Sequence, residues 1–455
     1  MKDLKGAQRD AVVKMLNMNK EPSSTLSNEM SEWSDQWKVL VYDAPCRDII
    51  STLLNVTQLR KRGVTLHMLL EAEREPITEV PAIYFCRPTE ENLKRIAQDC
   101  ANRLYAGLHL NFSCKLERPL MERLAQDTIA SGSVDMIKTI HDQHLDFVSM
   151  EQHLFTLNQA DSFVAYNDPT RTDAEVTGTM SSVTAGLFST LACLKESPVI
   201  RAPPGGAAQM VAEQLYKLVA DHHSGSGVFS GAGGSVVHQR PMLVVLDRNI
   251  DLVTPLMHTS TYQALLDDVL NYKLNRVSVQ LDGKEKGPKA QQKTYDLDPE
   301  SDEFFRRHKG APFPEAIEAN SSELASVTQQ EDAIRRKTGG GGGGGGDAVP
   351  AKGGAEEGSG TKDLAAAVES LPELMDQKKG LEMHTNILKS VMDLVAARHV
   401  PVYFEAEAEL VMTSRADKSA MKQLLGGQKG SVKDKLRLLG IYYLATRAQV
   451  RLLWS

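Results

Sequence analysis

A chain of 455 residues is too long for a single hydrophobic core, so two to four domains are expected. Its 41% hydrophobic and 24% charged residues are those of a globular protein, and with a net charge of −7 it has no domain-sized basic block to neutralise nucleic-acid phosphates. Cys46, Cys86, Cys100, Cys114 and Cys193 are odd in number, widely spread and without a CxxC pair, which fits reduced thiols in a cytosolic protein better than a disulfide framework. The first 20 residues are charged throughout and lack the apolar segment of a secretory leader, and no run of about 18 apolar residues is present to span a bilayer.

Strand and helix signals alternate from the start. Residues 37–42 (WKVLVY) predict a buried strand and 48–54 a helix; 82–86 (AIYFC) predict a second strand, stopped by Arg87-Pro88. Thr89 is placed to cap the next helix, where Glu90 and Glu91 suit the positive end of the helix dipole and Leu93, Ile96, Ala97, Cys100 and Leu104 share one face. A third strand is expected near 108–114. Pro119 suits the first turn of a helix carrying Leu120, Met121, Leu124 and Ala125, and a further helix is expected from Val134 to about His141. Strands near 146–150 and 153–157 complete this region, and the alternation predicts an open, mainly parallel sheet with helices on both faces.

A second α/β region is expected to follow. It continues through 160–165 and a polar loop to helices at 184–194 and 206–221, a Ser/Gly-rich loop at 224–235, the strand 241–246 (PMLVVL), a turn at Asp247-Arg248-Asn249 and a helix at 261–271. Beyond about residue 272 the pattern is helical: 299–308, 314–337, 361–398 and 431–448. Eight consecutive glycines at 339–346 cannot offset their ordering entropy, so the simplest geometry is a long helical hairpin with a flexible tip. Pro372 within its second arm removes one backbone hydrogen bond and favours a kink.

A parallel α/β domain raises the question of nucleotide binding, which needs a glycine-rich turn between a strand and a helix N-terminus. After the first strand the chain instead reads Asp43-Ala44-Pro45-Cys46-Arg47-Asp48, without glycine and with two acids, and no GxxxxGK[ST] occurs; no cofactor is implied. Asp247, Arg248 and Asp251 sit just past a strand end, and two readings are open. They are either a metal-dependent or acid–base pair in an α/β hydrolase-like enzyme, or turn caps at a domain junction. Met121, Leu124, Ile137 and Ile140 likewise read either as core packing or as an apolar surface. No GxSxG elbow or HExxH zinc pair is present, no metal ligand set is proposed, and a helical hairpin of more than 60 residues points to a partner protein.

The segment from Leu246, LDRNIDLVTPLMHTSTYQALLDDVL, resembles the signature of the Sec/Munc (SM) family of syntaxin-binding proteins: Asp247-Arg248-x-x-Asp251, Thr254-Pro255-Leu256, His258 and Thr261-Tyr262-Gln263-Ala264. Leu371-Pro372-Glu373-Leu374, with Leu381 and His384, resembles the family's kinked domain-three helix, and VLVYDAPCRDIIS at 39–51 with AIYFCRPTEENLKRIAQD at 82–99 resembles its N-terminal domain. Together with NFSCKLERPLMERLA at 111–125, these blocks are most similar to the family member acting between endoplasmic reticulum and Golgi.

The resemblance implies an arch of three domains: an arm at 1–30, a parallel-sheet α/β domain at 31–152, a second and incomplete α/β domain at 153–268, and a mainly helical domain at 269–455 with a flexible insert at 338–360. Family members return to the second domain after the third, so that domain is expected to expose unpaired edges. The resemblance further implies a non-enzymatic regulator of SNARE assembly. It would bind the N-terminal peptide of a Golgi-type syntaxin on Met121, Leu124, Ala125, Ile137 and Ile140, with Asp142 receiving a basic residue. Pro372 would be the hairpin hinge, and Asp247, Arg248, Asp251, Thr254 and Pro255 a domain-junction signature. Expected partners are a Golgi-type syntaxin and assembled SNARE complexes, with tethering factors or Rab effectors as further candidates; nucleic acid and a membrane span are not expected. The implied location is cytoplasmic, with peripheral recruitment to endoplasmic reticulum and Golgi membranes. On this reading Leu124→Lys would abolish peptide binding without unfolding the domain.

Overall fold

A computed structural model describes residues 3–20, 37–224, 229, 240–280, 292–337, 360–413 and 418–452. The chain divides into two compact units, Met1–Ile250 and Asp251–Ser455. The glycine tract at 339–346 and most of the Ser/Gly-rich loop at 224–235 lie outside the described residues.

The first unit is built on a five-stranded, all-parallel sheet: β1 (Lys38–Tyr42), β2 (Val64–Leu69), β3 (Ala82–Cys86), β4 (Leu108–Phe112) and β5 (Ile137–Asp142), in the order β2-β1-β3-β4-β5. β1 and β3 are buried at every position, as a strand covered on both faces must be, whereas the edge strand β5 alternates half-buried and exposed residues. The crossovers are α2 (Ala44–Leu53) and α3 (Val56–Arg60), then α4 (Glu90–Ala101) and α5 (Arg118–Ala130). Thr89 caps α4 by accepting the Asn92 N–H, and Leu93, Ile96, Ala97, Cys100 and Leu104 all enter the core with Tyr84, Leu110, Phe112 and Leu124. At the other end of the chain's first segment, α1 (Leu4–Leu16) is fixed to the unit by buried Gln8. Its amide donates to the Phe147 carbonyl at 2.6 Å and accepts from the Ser149 N–H at 3.2 Å. Lys38, buried in β1, donates to the Leu16 carbonyl at 2.9 Å, and burial, with Lys20 nearby, pulls its ammonium down to about 8.

Two segments fold differently from the local sequence pattern. Val134–Met136 forms one 3₁₀ turn and residues 137–142 form β5, not a helix. The run Ile-Lys-Thr-Ile carries three β-branched residues, which favour a pleated surface, and the backbone of β4 was available to pair with it. The helix expected to begin at Thr184 starts at Asp173, because Thr172 and Glu175 form a reciprocal capping box. The remainder of the unit comprises the antiparallel pair β6 (Val148–Glu151) and β7 (Leu154–Thr156), then α6 (Ser162–Asn167), α7 (Asp173–Leu194), β8 (Val199–Arg201), α8 (Gly206–Ser224) and β9 (Met242–Val244). β8 and β9 form a two-stranded parallel ladder with Met242 and Val244 exposed.

The second unit opens with a 3₁₀ turn at Thr254–Leu256 and α9 (Tyr262–Val269). A three-stranded antiparallel sheet follows, β10 (Asn271–Lys273), β11 (Arg276–Gln280) and β12 (Gln292–Asp296), within a stretch the periodicity did not assign to strands. Its first hairpin turns through Leu274 and Asn275, both at positive φ (49° and 62°), a conformation that the pair Leu-Asn does not advertise as Asn-Gly would. The helices are α10 (Glu303–His308), α11 (Phe313–Lys337), α12 (Gly360–Arg398), α13 (Val400–Thr413), α14 (Lys418–Gly426) and α15 (Val432–Leu452). Tyr262, Leu266, Val277, Val279, Phe305, Ile387 and Val391 form the shared core of sheet, α9 and hairpin.

Leu124 is 2% exposed and packed in the first unit's core. Leu124→Lys is therefore expected to unfold the unit, contrary to the reading from sequence, because it would bury a charge without a partner. Leu124→Ala should lower stability by about 2–5 kcal/mol, seen as a shifted denaturant midpoint at constant slope. A shift worth less than about 0.5 kcal/mol, the level of a surface substitution, would move Leu124 out of the core.

Candidate functional site

In open parallel sheets ligands bind beyond the carboxyl ends of the strands, where the order of connection reverses. Here that crevice lies beyond β1 and β3, and a buried carboxylate fills it. Asp43 accepts the Cys46 N–H at the head of α2, the Arg87 N–H and the Asn92 side-chain amide, each at 3.0 Å. The helix N-terminus that would bind a phosphate is thus already satisfied by an anion from the chain itself. Beside it burial pushes the Cys46 and Cys86 thiols well up and raises Cys114 to about 12, so these are inert structural thiols.

The opposite end of the sheet is more open. β5 pairs with β4 so that Ile137 faces Leu108, Thr139 faces His109, Ile140 faces Leu110 and Asp142 faces Phe112. The one-residue irregularity between Leu108 and His109 matters. A regular strand would send Ile137 and Ile140 to opposite faces, whereas the extra residue returns Ile140 to the face shared with Ile137 and the core. Directly paired residues share a face, so Ile137, Ile140 and Asp142 all lie on the side of Leu108, Leu110 and Phe112, the side where Leu124 of α5 packs. On that side Met121 (43%), Ala125 and Ile140 (39%) are exposed, Ile137 is half-buried and Leu124 is sealed. The Asp142 carboxylate accepts the Leu116 N–H at 3.1 Å, tying the end of β5 to the loop that leads into α5.

The residues of the 247–270 segment act locally. Asp247 accepts from the Tyr166 hydroxyl at 3.0 Å and from the Asn249 N–H at 3.2 Å. Arg248 lies in the 3₁₀ turn Arg248–Ile250. Asp251 Oδ1 accepts the Val253 and Thr254 N–H groups, both at 3.0 Å, and so initiates the turn in which Pro255 supplies a pre-set φ. The turn-cap reading of these acids describes their geometry, and among the described residues no group of three or more His, Cys, Asp or Glu could hold a metal ion.

The residue of consequence in this segment is His258, named only as part of a motif from sequence. It is buried, with its N–H donating to Glu407 Oε2 at 2.7 Å, its Nδ1 2.8 Å from Glu407 Oε1 and its Nε2 3.1 Å from Asp434 Oδ1. Both ring nitrogens therefore face carboxylate oxygens of residues from two different helices. Asp434 also accepts from the Arg398 guanidinium and from the Ser431 N–H and hydroxyl, each of the latter at 2.8 Å. Arg398 and Arg437 converge on Asp268, and Arg437 donates to the Leu256 and Met257 carbonyls at 2.6 and 2.7 Å. The network joins the signature turn, α9, α12, α13 and α15. Burial opposes ionisation of Asp434, but Arg398, Ser431 and His258 outweigh it and hold the carboxyl well below the usual carboxylate range.

The hairpin arms α11 and α12 run antiparallel, as Asn320 meets Thr385 (2.8 Å) and Glu331 meets Lys378 (2.7 Å). His384 pins the base: its Nδ1 is 2.9 Å from the Tyr262 hydroxyl and its Nε2 2.8 Å from Asp302. Pro372 is exposed inside a helix that continues through it, six residues beyond the Lys378 ion pair on the side away from the base.

These features have counterparts in known proteins. The Sec1 family model matches residues 38–452, and the chain belongs to the Sec1 family. It is 39% identical to human "Sec1 family domain-containing protein 1" over 462 residues, covering 97% of this chain and 70% of that one. It is 32% identical to "Protein SLY1" of Saccharomyces cerevisiae over 458 residues, 97% of this chain and 67% of that one. Among solved structures, that of Sly1p in complex with an N-terminal peptide of Sed5p superposes with a TM-score of 0.75 at 30% identity, covering 98% of this chain and 69% of that one. The Unc18–syntaxin 1 complex of Monosiga brevicollis shares the fold, with a TM-score of 0.72 at 22% identity over 98% of this chain and 73% of that one. The proteins of this family are regulators, not enzymes. No helix among the described residues is long and apolar enough to cross a membrane.

The sign of the acid response follows from Asp434. A carboxyl held below its unfolded value, about 3.9, contributes stability above that value and loses it as pH falls through the folded one. Asp434→Asn should therefore lower stability at neutral pH by about 3–5 kcal/mol and flatten the loss of stability below about pH 4. Unfolding followed from pH 7 to pH 2 checks this; parallel curves for the two proteins would remove Asp434 as the linchpin.

Proposed function

We propose that this chain is a non-enzymatic regulator of SNARE-mediated vesicle docking and fusion in transport between endoplasmic reticulum and Golgi. It binds a Golgi-type syntaxin and promotes assembly of the SNARE complex. Supporting this is the likeness, over nearly the whole chain, to a protein solved with an N-terminal peptide of Sed5p. The peptide-binding domain is assigned to residues 31–152. The peptide lies along the β5 edge on the α5 side, its aromatic anchor against Met121, Ala125, Ile137 and Ile140, with Leu124 as the floor beneath them. Asp142 keeps one carboxylate oxygen on the Leu116 N–H and offers the other to a basic residue.

The α11–α12 hairpin is the surface for SNARE helices. Below Lys378 it is held by buried polar contacts to the rest of its unit; beyond Lys378 lies Pro372, which has no N–H for the carbonyl one turn earlier. Bending at Pro372 moves the distal part of the arm while the base stays fixed. The protein reaches Golgi membranes through these partners.

A calorimetric titration with the N-terminal peptide of a Golgi syntaxin tests the first contact. The double variant Met121→Asp, Ile140→Asp changes exposed side chains only, and should weaken binding at least about tenfold with the unfolding midpoint unchanged. Unchanged affinity would remove the peptide from this edge. For the hinge, Pro372→Ala restores the missing donor and straightens the arm, so SNARE assembly followed by energy transfer between labelled SNAREs should accelerate. An unaltered rate would leave Pro372 without a hinge role.

A further inference from the structure

The apolar furrow beside β5 extends past the residues assigned above to the aromatic anchor. Met121, Ala125 and Ile129 recur every four residues and so form one row along α5. Arg123, paired with Glu90 at the head of α4 at 2.7 Å, marks the side of α5 that faces α4. The row stands about 120–160° round the helix from Arg123, on the side of β5, the last strand of the sheet. Each step of the row winds about 40° further from buried Leu124. Ile129 accordingly stands farthest out, at 67% exposed against 43% for Met121.

A second row faces the first. Ile140 and Ile137 share a face of β5, and Val134 joins them through the 3₁₀ turn Val134–Met136, in which residues three apart eclipse. The Ile137 N–H closes that turn on the Val134 carbonyl, and Val134 is 50% exposed. α5 and β5 run in opposite directions, as a helix must between two parallel strands. They are joined by a tight turn in which the Gly132 N–H donates to the Ile129 carbonyl at 3.0 Å and the Ser133 N–H to the Thr128 carbonyl at 2.9 Å. Met121 therefore lies across from Ile140, Ala125 from Ile137, and Ile129 from Val134. The floor is Leu124 and Thr128, both buried; the Thr128 hydroxyl donates to the Leu124 and Ala125 carbonyls and brings no unmet donor to the furrow. Charges beside the turn are engaged locally, Asp135 with Arg103 at 3.0 Å and the Lys138 ammonium with the Asp135 carbonyl at 2.8 Å.

We propose that Ile129 and Val134, with Ala125 and Ile137, form a second apolar subsite that takes another apolar side chain of the same syntaxin-type N-terminal peptide. The inference rests on the reading of the β5 edge as the peptide site. Continuity selects the occupant: the two subsites share Ala125, Ile137 and the floor, so a peptide seated in the first runs directly into the second. Their centres are four residues apart along α5, about 6 Å. The second anchor is thus four residues from the aromatic one in a helical peptide, or two residues from it in an extended one.

Calorimetric titration of the full chain with the N-terminal peptide of Sed5p separates the two subsites. Ile129→Gln with Val134→Gln alters exposed side chains only and adds no charge. It should weaken binding at least about fivefold with the unfolding midpoint unchanged. Alanine scanned along the peptide should weaken binding to the unaltered chain at a position two or four residues from the aromatic. The same alanine should have little effect on binding to the Gln variant, a coupling that a general loss of stability does not produce. Coupling at two residues supports the subsite with an extended peptide, and coupling at four supports it with a helical one. Additive effects at every peptide position overturn the second subsite. So does unchanged affinity of the Gln variant while Met121→Asp with Ile140→Asp weakens binding, which leaves the first contact standing. If neither double variant weakens binding, the peptide does not lie on this edge and both readings fall.

Discussion

The second unit depends on a buried chain of hydrogen bonds in which His258 stands between Glu407 and Asp434, and Asp434 between His258 and Arg398. Such a chain contributes little net stability compared with well-packed apolar residues, because each polar group has been taken out of water. Once buried, every member requires its partners in one geometry, and removal of any of them leaves a buried polar group unsatisfied. The partners here come from places far apart in the chain. Residues near 258, 268, 398, 407, 434 and 437 must arrive together, which fixes the turn at Thr254–Leu256 against α12, α13 and α15 in a single arrangement. Gly430, at φ +77° just before the Ser431 cap, belongs to the same constraint, since a side chain there would collide with Tyr403.

A rigid base is what gives the hairpin mechanical meaning. The Tyr262–His384–Asp302 contacts and the Asn320–Thr385 bond continue the constraint up into α11 and α12, and the Glu331–Lys378 pair is the next contact outward. On the proposed reading of Pro372 as a hinge, bending is confined to the part of the helix outside these contacts. Pro372 occurs there, where a missing donor weakens the helix without disturbing the packed base. The acids that invited an enzymatic reading, Asp247 and Asp251, are consumed by turn N–H groups and a tyrosine hydroxyl, as Asp43 is at the sheet's switch point. These carboxylates are spent on donors within the chain, whereas Met121 and Ile140 at one sheet edge are left exposed.

Much of the fold was legible from local pattern. The apolar runs of β1 and β3, the Thr89 cap, the long hairpin periodicities and the order of the family motifs all carry local signals, because buried parallel strands, capped helices and amphipathic arms each impose a repeat on neighbouring residues. The rest depends on contacts between distant parts of the chain. Residues 137–142 pair as a strand because β4 offered its edge, and a one-residue slip in register, invisible to any periodicity, put Ile137 and Ile140 on one face. Leu124 and Met121 have the same local pattern, yet one is sealed and the other open, since burial depends on what packs across from them. The role of His258 was undetectable for the same reason: its meaning lies in Glu407 and Asp434, about 150 and 176 residues away, and a hydrogen bond between distant residues leaves no trace in the spacing of either.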